Sequence, residues 1–112
     1  RQVERFDEAL AIYRESSDVH GQGATEYELG NIYFNTSRYD DARRHYELAL
    51  EARRKAGYRA GEGMTLRGLG SAFSSMGQQD KALEFYEQAL TISRTERARV
   101  EEARSLNSVG IA

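Results

Sequence analysis

Residues 21–60 read GQGATEYELGNIYFNTSRYDDARRHYELALEARRKAGYRA, and residues 61–100 read GEGMTLRGLGSAFSSMGQQDKALEFYEQALTISRTERARV. When the two stretches are aligned without gaps, 13 of 40 positions are identical. The same register continues outward, because Leu10 precedes Leu50 by 40 residues and Gly110 follows Gly70 by 40 residues. A register that is held along the chain indicates a tandem repeat.

The apolar residues within each unit are spaced for helices. Leu29, Ile32 and Tyr33 recur at intervals of three and four, and they do not alternate with the period of two that a strand requires. Short polar breaks at 36–38 and 77–79 fit tight turns between helices. The sequence therefore predicts helical hairpins with brief connections.

We predict an all-α fold in which antiparallel hairpins stack as one array, since a single hairpin cannot bury its apolar face alone. Gly57 is expected to end a helix in the left-handed conformation, and Ser17 and Asp18 are expected to cap the start of another. The outer surfaces of the first and last helices should remain partly uncovered. The predicted helices are 2–16, 19–36, 39–56, 59–76, 79–95 and 98–112.

Residues at fixed offsets in both units resemble the tetratricopeptide repeat, whose pattern has Leu-Gly, an aromatic residue, then Ala, an aromatic residue and Ala. The 40-residue period, instead of the usual 34, resembles the long-repeat form found in kinesin light chains, cell-polarity adaptors and bacterial regulators. Glu26 departs from the pattern, because it stands where the unit should be apolar. The matching residues are Leu29, Gly30, Tyr33, Ala42, Tyr46 and Ala49, then Leu69, Gly70, Phe73, Ala82, Tyr86 and Ala89.

The resemblance implies a right-handed superhelix whose concave wall binds a peptide segment of a partner protein. It also divides the chain within one array. Residues 1–16 would be the second helix of a preceding repeat, 19–56 and 59–95 would be two repeats, and 98–112 would be the first helix of a following repeat. Gly30 and Gly70 would lie where two helices approach closely.

By the same resemblance, the first helix of each repeat lines the groove at fixed offsets from its glycine. The Asn and Arg residues at these offsets suit an extended or helical acidic segment, since Asn can form hydrogen bonds with a peptide group and Arg can bind a carboxylate. Two alternatives stay open: Tyr27 and Phe34 could pack against the adjacent repeat, and Arg67 could pair with a nearby Glu. The candidate peptide-binding residues are Tyr27, Asn31, Phe34, Asn35, Arg67, Ser71, Ser74, Arg104 and Asn107.

Composition and motifs argue against several other classes of protein. The net charge of −2 provides no basic patch for nucleic acid or an anionic membrane, and we interpret Arg43-Arg44 and Arg53-Arg54-Lys55 as a solvated face. The chain has no cysteine, which is compatible with a reducing compartment such as the cytoplasm. His20 and His45 are isolated, so the sequence predicts no metal site, no cofactor and no catalytic centre.

The leading hypothesis is a protein-interaction module within a larger regulatory or scaffold protein. The alternative is a structural module that forms homo-oligomers through its exposed terminal helices. Neither hypothesis requires a nucleic acid or a membrane as partner.

Overall fold

The computed structural model describes the backbone of residues 2–111 and the side chains of residues 2–108; residues 1 and 112, at the ends of the predicted array, lie outside the described residues. The described chain is helical apart from short turns, which confirms the all-α prediction. The helices are α1 (Gln2–Glu15), α2 (Val19–Asn35), α3 (Tyr39–Ala56), α4 (Arg59–Ser75) and α5 (Gln79–Ile111).

The four turns recur every 20 residues and share one geometry. Each contains one residue with positive φ, at 56° for Ser17, 62° for Ser37, 69° for Gly57 and 81° for Gly77. The N–H of the next residue donates to the carbonyl five residues before it, at distances between 2.8 and 3.0 Å. Each helix from α1 to α4 therefore ends in a Schellman motif, as predicted for Gly57.

The start of α2 is capped as the sequence predicts, but only by one of the two expected residues. Asp18 accepts a hydrogen bond at its Oδ1 from the backbone N–H of Gly21, at 2.9 Å. Ser17 instead supplies the left-handed residue of the turn. The aspartate satisfies one of the N–H groups that a helix start leaves without a partner.

The predicted turn at 96–97 is wrong, because α5 passes through it as one helix of 33 residues. Residues 98–111 therefore extend α5 instead of forming the first helix of a following repeat. Arg97 occupies the position that follows Gly77 by 20 residues, and a left-handed conformation is unfavourable for a residue with a Cβ and a long side chain. The surrounding residues 94–99 contain neither Gly nor Ser, and most of them favour the helix.

Helices that follow one another in sequence pack side by side, from α1 on α2 to α4 on α5. Leu29, Leu66 and Leu69 have no exposed surface. Phe73 is buried and Tyr33 is half-buried, as the hairpin prediction requires. One continuous core runs from α3 to α5, and it contains Ala42, Tyr46, Leu50, Leu66, Leu69, Ala72, Phe73, Ala82, Ala89 and Ile92.

The repeat glycines lie where helices approach closely, as predicted. A Cβ on Gly30 would lie 2.5 Å from the ring of Tyr46, and one on Gly70 would lie 2.7 Å from the ring of Tyr86. Both distances are shorter than a carbon–carbon contact allows. Each glycine therefore makes room for the tyrosine of its own hairpin.

Glu26 is buried, with 3% of its surface exposed, and the structure shows what compensates for its charge. Its Oε1 lies 2.7 Å from Nδ1 of His45, and its Oε2 lies 3.4 Å from Nη2 of Arg14. In the second unit the equivalent residues of Glu26 and His45 are Leu66 and Phe85. The first hairpin thus uses a polar pair where the second uses an apolar one.

The aromatic layer beside this pair is the same in both units. The rings of Tyr33 and His45 stack with centroids 5.1 Å apart, and those of Phe73 and Phe85 stack at 5.4 Å. Arg38 lies over the Tyr33 ring at 4.7 Å, and Lys81 lies over the Phe73 ring at 5.7 Å. Different residues therefore build one hairpin geometry.

The array is elongated, with principal extents of 56 × 38 × 19 Å and a radius of gyration of 16.5 Å. Ile12 on α1 and Leu106 on α5 are 63% and 64% exposed, which confirms that the two ends are incompletely covered. Within residues 2–111, none of the helices is both long and apolar enough to cross a membrane.

Candidate functional site

An open groove of about 370 Å³ runs between α2 and α4. It brings together five of the nine residues predicted from the sequence: Tyr27, Asn31, Phe34, Arg67 and Ser71. Four further residues line the groove: Tyr46, Met64, Gly68 and Tyr86. Of these, only Met64, six residues before Gly70, lies at one of the offsets that the resemblance predicts for the groove.

Two tyrosines from the second helices of the hairpins contribute to the floor of the groove. The hydroxyl of Tyr46 donates a hydrogen bond to Oδ1 of Asn31. One repeat later, the hydroxyl of Tyr86 lies 3.1 Å from Oγ of Ser71. Each hairpin therefore positions a groove residue of its first helix through a tyrosine of its second helix.

Tyr46 reaches the groove because glycines flank its ring on two helices. A Cβ on Gly68 of α4 would lie 3.0 Å from the ring, and Gly30 of α2 contacts it from within the hairpin. Burial, together with Tyr27 and Glu28 nearby, raises the pKa of Tyr46 to about 12. The hydroxyl consequently remains protonated, and able to donate to Asn31, at neutral pH.

Arg53 supports the groove from below, and the sequence interpretation of this residue as part of a solvated face is wrong. It is 6% exposed and donates from Nη1 to the carbonyl of Gly61 and to Oγ1 of Thr65, both at 3.0 Å. Its guanidinium lies 4.6 Å from the centre of the Tyr27 ring. Burial lowers the pKa of Arg53, and the tyrosines beside it act in the opposite direction.

The signal that could have identified Arg53 is present in the sequence. It follows Ala49 by four residues and Leu50 by three, so it shares their buried helix face. The equivalent residue in the next unit is Ser93, which cannot make the same contacts. The two repeats therefore differ beneath the groove.

The groove residues combine core contacts with exposed surface. Tyr27 is half-buried and packs against Tyr46 with ring centroids 5.7 Å apart, and Phe34 packs against Tyr39 at 5.3 Å. Both partner rings belong to α3 of the same hairpin, so these contacts do not bear out the alternative that Tyr27 and Phe34 pack against the adjacent repeat, and both residues line the groove. Arg67 is exposed and makes no ion pair with any residue whose side chain the structure describes.

Four of the predicted residues do not line this groove. Asn35 is exposed at the last turn of α2. Ser74 exchanges hydrogen bonds with Gln79 across the α4–α5 turn, at 3.1 and 3.2 Å. Arg104 and Asn107 are exposed on the extension of α5, because that segment does not turn back beside α4.

The groups that line the groove are suited to binding. Within residues 2–108, no group of three or more His, Asp and Glu side chains is placed to hold a metal ion. The groove offers aromatic surface, amide and hydroxyl groups, and the guanidinium of Arg67. These groups can contact apolar side chains, peptide bonds and a carboxylate.

The family model described as tetratricopeptide repeat matches residues 21–95, which cover both hairpins except for the first two residues of α2. The chain belongs to the tetratricopeptide repeat family. Members of this family generally act as protein–protein interaction modules that bind proteins or peptides, and they are typically not enzymes. No curated protein matched the chain. Its assignment to the long-repeat branch stays a prediction.

Proposed function

We propose that this tetratricopeptide repeat array binds an acidic peptide segment of a partner protein in the groove between α2 and α4, as part of a regulatory or scaffold protein. The observation that carries the proposal is the convergence of Tyr27, Asn31, Phe34, Arg67 and Ser71 on one open groove. These residues come from two helices and lie up to 44 positions apart in the sequence.

The charge of the groove favours an acidic ligand. Among its nine described lining residues, Arg67 carries the only formal charge, and its guanidinium is exposed. A carboxylate placed there would accept two parallel hydrogen bonds without first displacing an existing ion pair. The groove therefore selects against a basic segment at this point.

The polar groups of the groove are held in place before a ligand arrives. The Tyr46 hydroxyl fixes the amide oxygen of Asn31, which leaves the amide N–H₂ to donate to a peptide carbonyl. Tyr27 is held between the Tyr46 ring and the Arg53 guanidinium. Side chains that are already ordered lose less conformational entropy on binding.

The proposal is tested with a display library of unstructured peptides that contain acidic and apolar residues. A selected peptide is titrated into the protein by calorimetry. We expect Arg67→Ala and Asn31→Ala each to weaken binding by roughly tenfold, since each removes a hydrogen-bonding group at the centre of the interface. Affinity should also fall as salt increases, because salt screens the contact with Arg67.

Arg94→Ala is the matched control, because Arg94 is exposed on α5 and does not line the groove. This variant should bind the selected peptide as the parent does. If Arg67→Ala and Asn31→Ala also kept full affinity, the groove would not be the binding site.

A further inference from the structure

The face of α5 that points away from α4 is apolar and open, whereas the equivalent face of α3 is covered. Tyr86 and Leu90 are 38% and 48% exposed. Their equivalents 40 residues earlier, Tyr46 and Leu50, are 3% and 8% exposed because α4 packs over them. The second hairpin therefore presents a surface that fits a helix of the α4 type.

This surface forms a cradle of about 280 Å³, lined by Arg67, Tyr86, Ala89, Leu90 and Ser93. All five have equivalents on the first hairpin, in the place where α4 lies. There Arg53 donates to Gly61 and Thr65 of α4, and Gly68 of α4 lies against the Tyr46 ring. No described residue fills the corresponding space on α5.

The segment that matches the cradle is on the same chain, at residues 98–111. Glu102, Leu106 and Gly110 follow Glu62, Leu66 and Gly70 of α4 by 40 residues. Leu66 is fully buried, whereas Leu106 is 64% exposed. The sequence of residues 98–111 therefore matches a helix that fills the cradle. In the structure, however, these residues extend α5 and do not lie in the cradle.

The segment cannot reach the cradle of its own chain while α5 remains straight. At each of the four turns, a Gly or Ser adopts positive φ so that the next helix folds back. Arg97 stands at the fifth position of that 20-residue series and is helical. Residues 98–111 consequently project beyond the hairpin.

We propose that two copies of this chain exchange their C-terminal segments, so that residues 98–111 of each copy fill the cradle on α5 of the other. On the first hairpin, which α4 covers, Gly68 of α4 lies against the ring of Tyr46 on α3, and these two helices are antiparallel. The same register sets Ser108 of the partner subunit against Tyr86. Residue 97 lies midway between residues 86 and 108. A single two-fold axis at residue 97, where the turn is missing, therefore produces this contact twice, once on each copy.

The exchange also has a consequence for the groove, and this consequence rests on the proposed function. Arg104 and Asn107 are the two predicted groove residues that α5 carries away from their own hairpin. In the exchanged dimer, Arg104 of the partner subunit takes the position equivalent to Met64. The groove is then extended by the second copy.

The first test is the mass of the chain by light scattering over a wide range of concentration. We expect a species of twice 12.7 kDa for the parent protein. Leu90→Glu should yield the mass of one chain, because it places a charge in the cradle. Its control is Leu48→Glu, since Leu48 is 41% exposed on α3 outside the cradle, and this variant should keep the double mass.

The second test restores the missing turn. Arg97→Gly should yield the mass of one chain with the helical circular dichroism retained, because residues 98–111 can then fold back on their own α5. Arg99→Gly is the matched control: Arg99 is equivalent to Arg59, the first residue of α4, so this glycine does not stand at the turn position. Arg99→Gly should keep the double mass.

A parent protein with the mass of one chain at every concentration would overturn the exchange. So would a dimer that Ile12→Glu on α1 disrupts but Leu90→Glu does not. Asn31→Ala separates this inference from the proposed function, because Asn31 lines the groove and not the cradle. If the protein formed the dimer but bound no selected peptide, the proposed function would be contradicted and the exchange would not.

Discussion

Tyr46 connects the core to the groove, and its environment favours the neutral hydroxyl. It is 3% exposed, its ring lies between Gly30 and Gly68, and its hydroxyl donates to Asn31. The sequence identifies Tyr46 as a repeat position, but it does not reveal the contact between its ring and Gly68 of α4. That contact depends on how closely two hairpins stack, which the spacing within one hairpin does not determine.

The raised pKa of Tyr46 predicts a loss of stability at alkaline pH. The folded protein holds this proton up to a pH of about 12, whereas the unfolded chain releases it near its ordinary pKa of about 10. The contribution is therefore complete below pH ~10 and declines as the pH rises toward the folded pKa, by about 2–3 kcal/mol in the free energy of unfolding.

Urea denaturation at a series of alkaline pH values measures this slope. In Tyr46→Phe the additional decline should disappear, and the other tyrosines, present in both proteins, cancel in the difference. Parallel pH profiles for the two proteins would show that the Tyr46 proton is not coupled to folding.

At the scale of elements, glycines at helix contacts meet different surroundings. A Cβ on Gly30 would lie 2.5 Å from the buried Tyr46 ring, whereas one on Gly63 would meet Ile92 at 3.5 Å, an ordinary contact. Gly30→Ala should therefore lower the free energy of unfolding by about 1–2 kcal/mol through overpacking. Gly63→Ala should raise it by up to about 1 kcal/mol through helix propensity.

The two alanine variants control for each other, since both remove one buried helical glycine. Equilibrium urea unfolding followed by circular dichroism gives both values. Changes of the same sign in both variants would mean that helix propensity or general crowding, and not the Tyr46 contact, determines the effect.

Most helix bounds could be predicted because each connection contains a small residue in a polar break. Predicted helix 39–56 is α3, and the predicted ends of α1, α2 and α4 each differ from the structure by one residue. The error at 96–97 has a physical cause. The apolar register of residues 98–111 shows which helix face would pack, but it does not determine whether the chain turns back, and position 97 holds Arg where the four turns have Gly or Ser.

At the scale of the whole molecule, the straight α5 makes the array longer than a folded domain of this size. A globular domain of this length has a radius of gyration of about 13 Å, whereas the chain has 16.5 Å. Small-angle X-ray scattering of Leu90→Glu, which is designed to remain a single copy, should give a value close to the larger one. A value near the smaller one would mean that residues 98–111 fold back in solution.

The groove was only partly predictable for the same reason. Residues of α2 and α4 converge because both helices belong to complete hairpins, so Asn31 and Ser71, at the same offset from Gly30 and Gly70, both line the groove. The offsets fail for Arg104 and Asn107, because they presuppose a hairpin that the chain does not complete. For Arg53 two signals in the sequence conflict, because its charge favours a solvated position whereas its register places it on the buried face of α3.

The unlike pairs Glu26–His45 and Leu66–Phe85 also bear on how the array assembles during folding. Tandem units of one shape risk joining a helix to the wrong neighbour. If α5 took the place of α3 against α2, Glu26 would face Phe85 and lose His45. If α4 took the place of α2 against α3, His45 would face Leu66. Each mismatch buries a polar group beside an apolar one, which penalises the shuffled arrangements and leaves the native order of hairpins preferred.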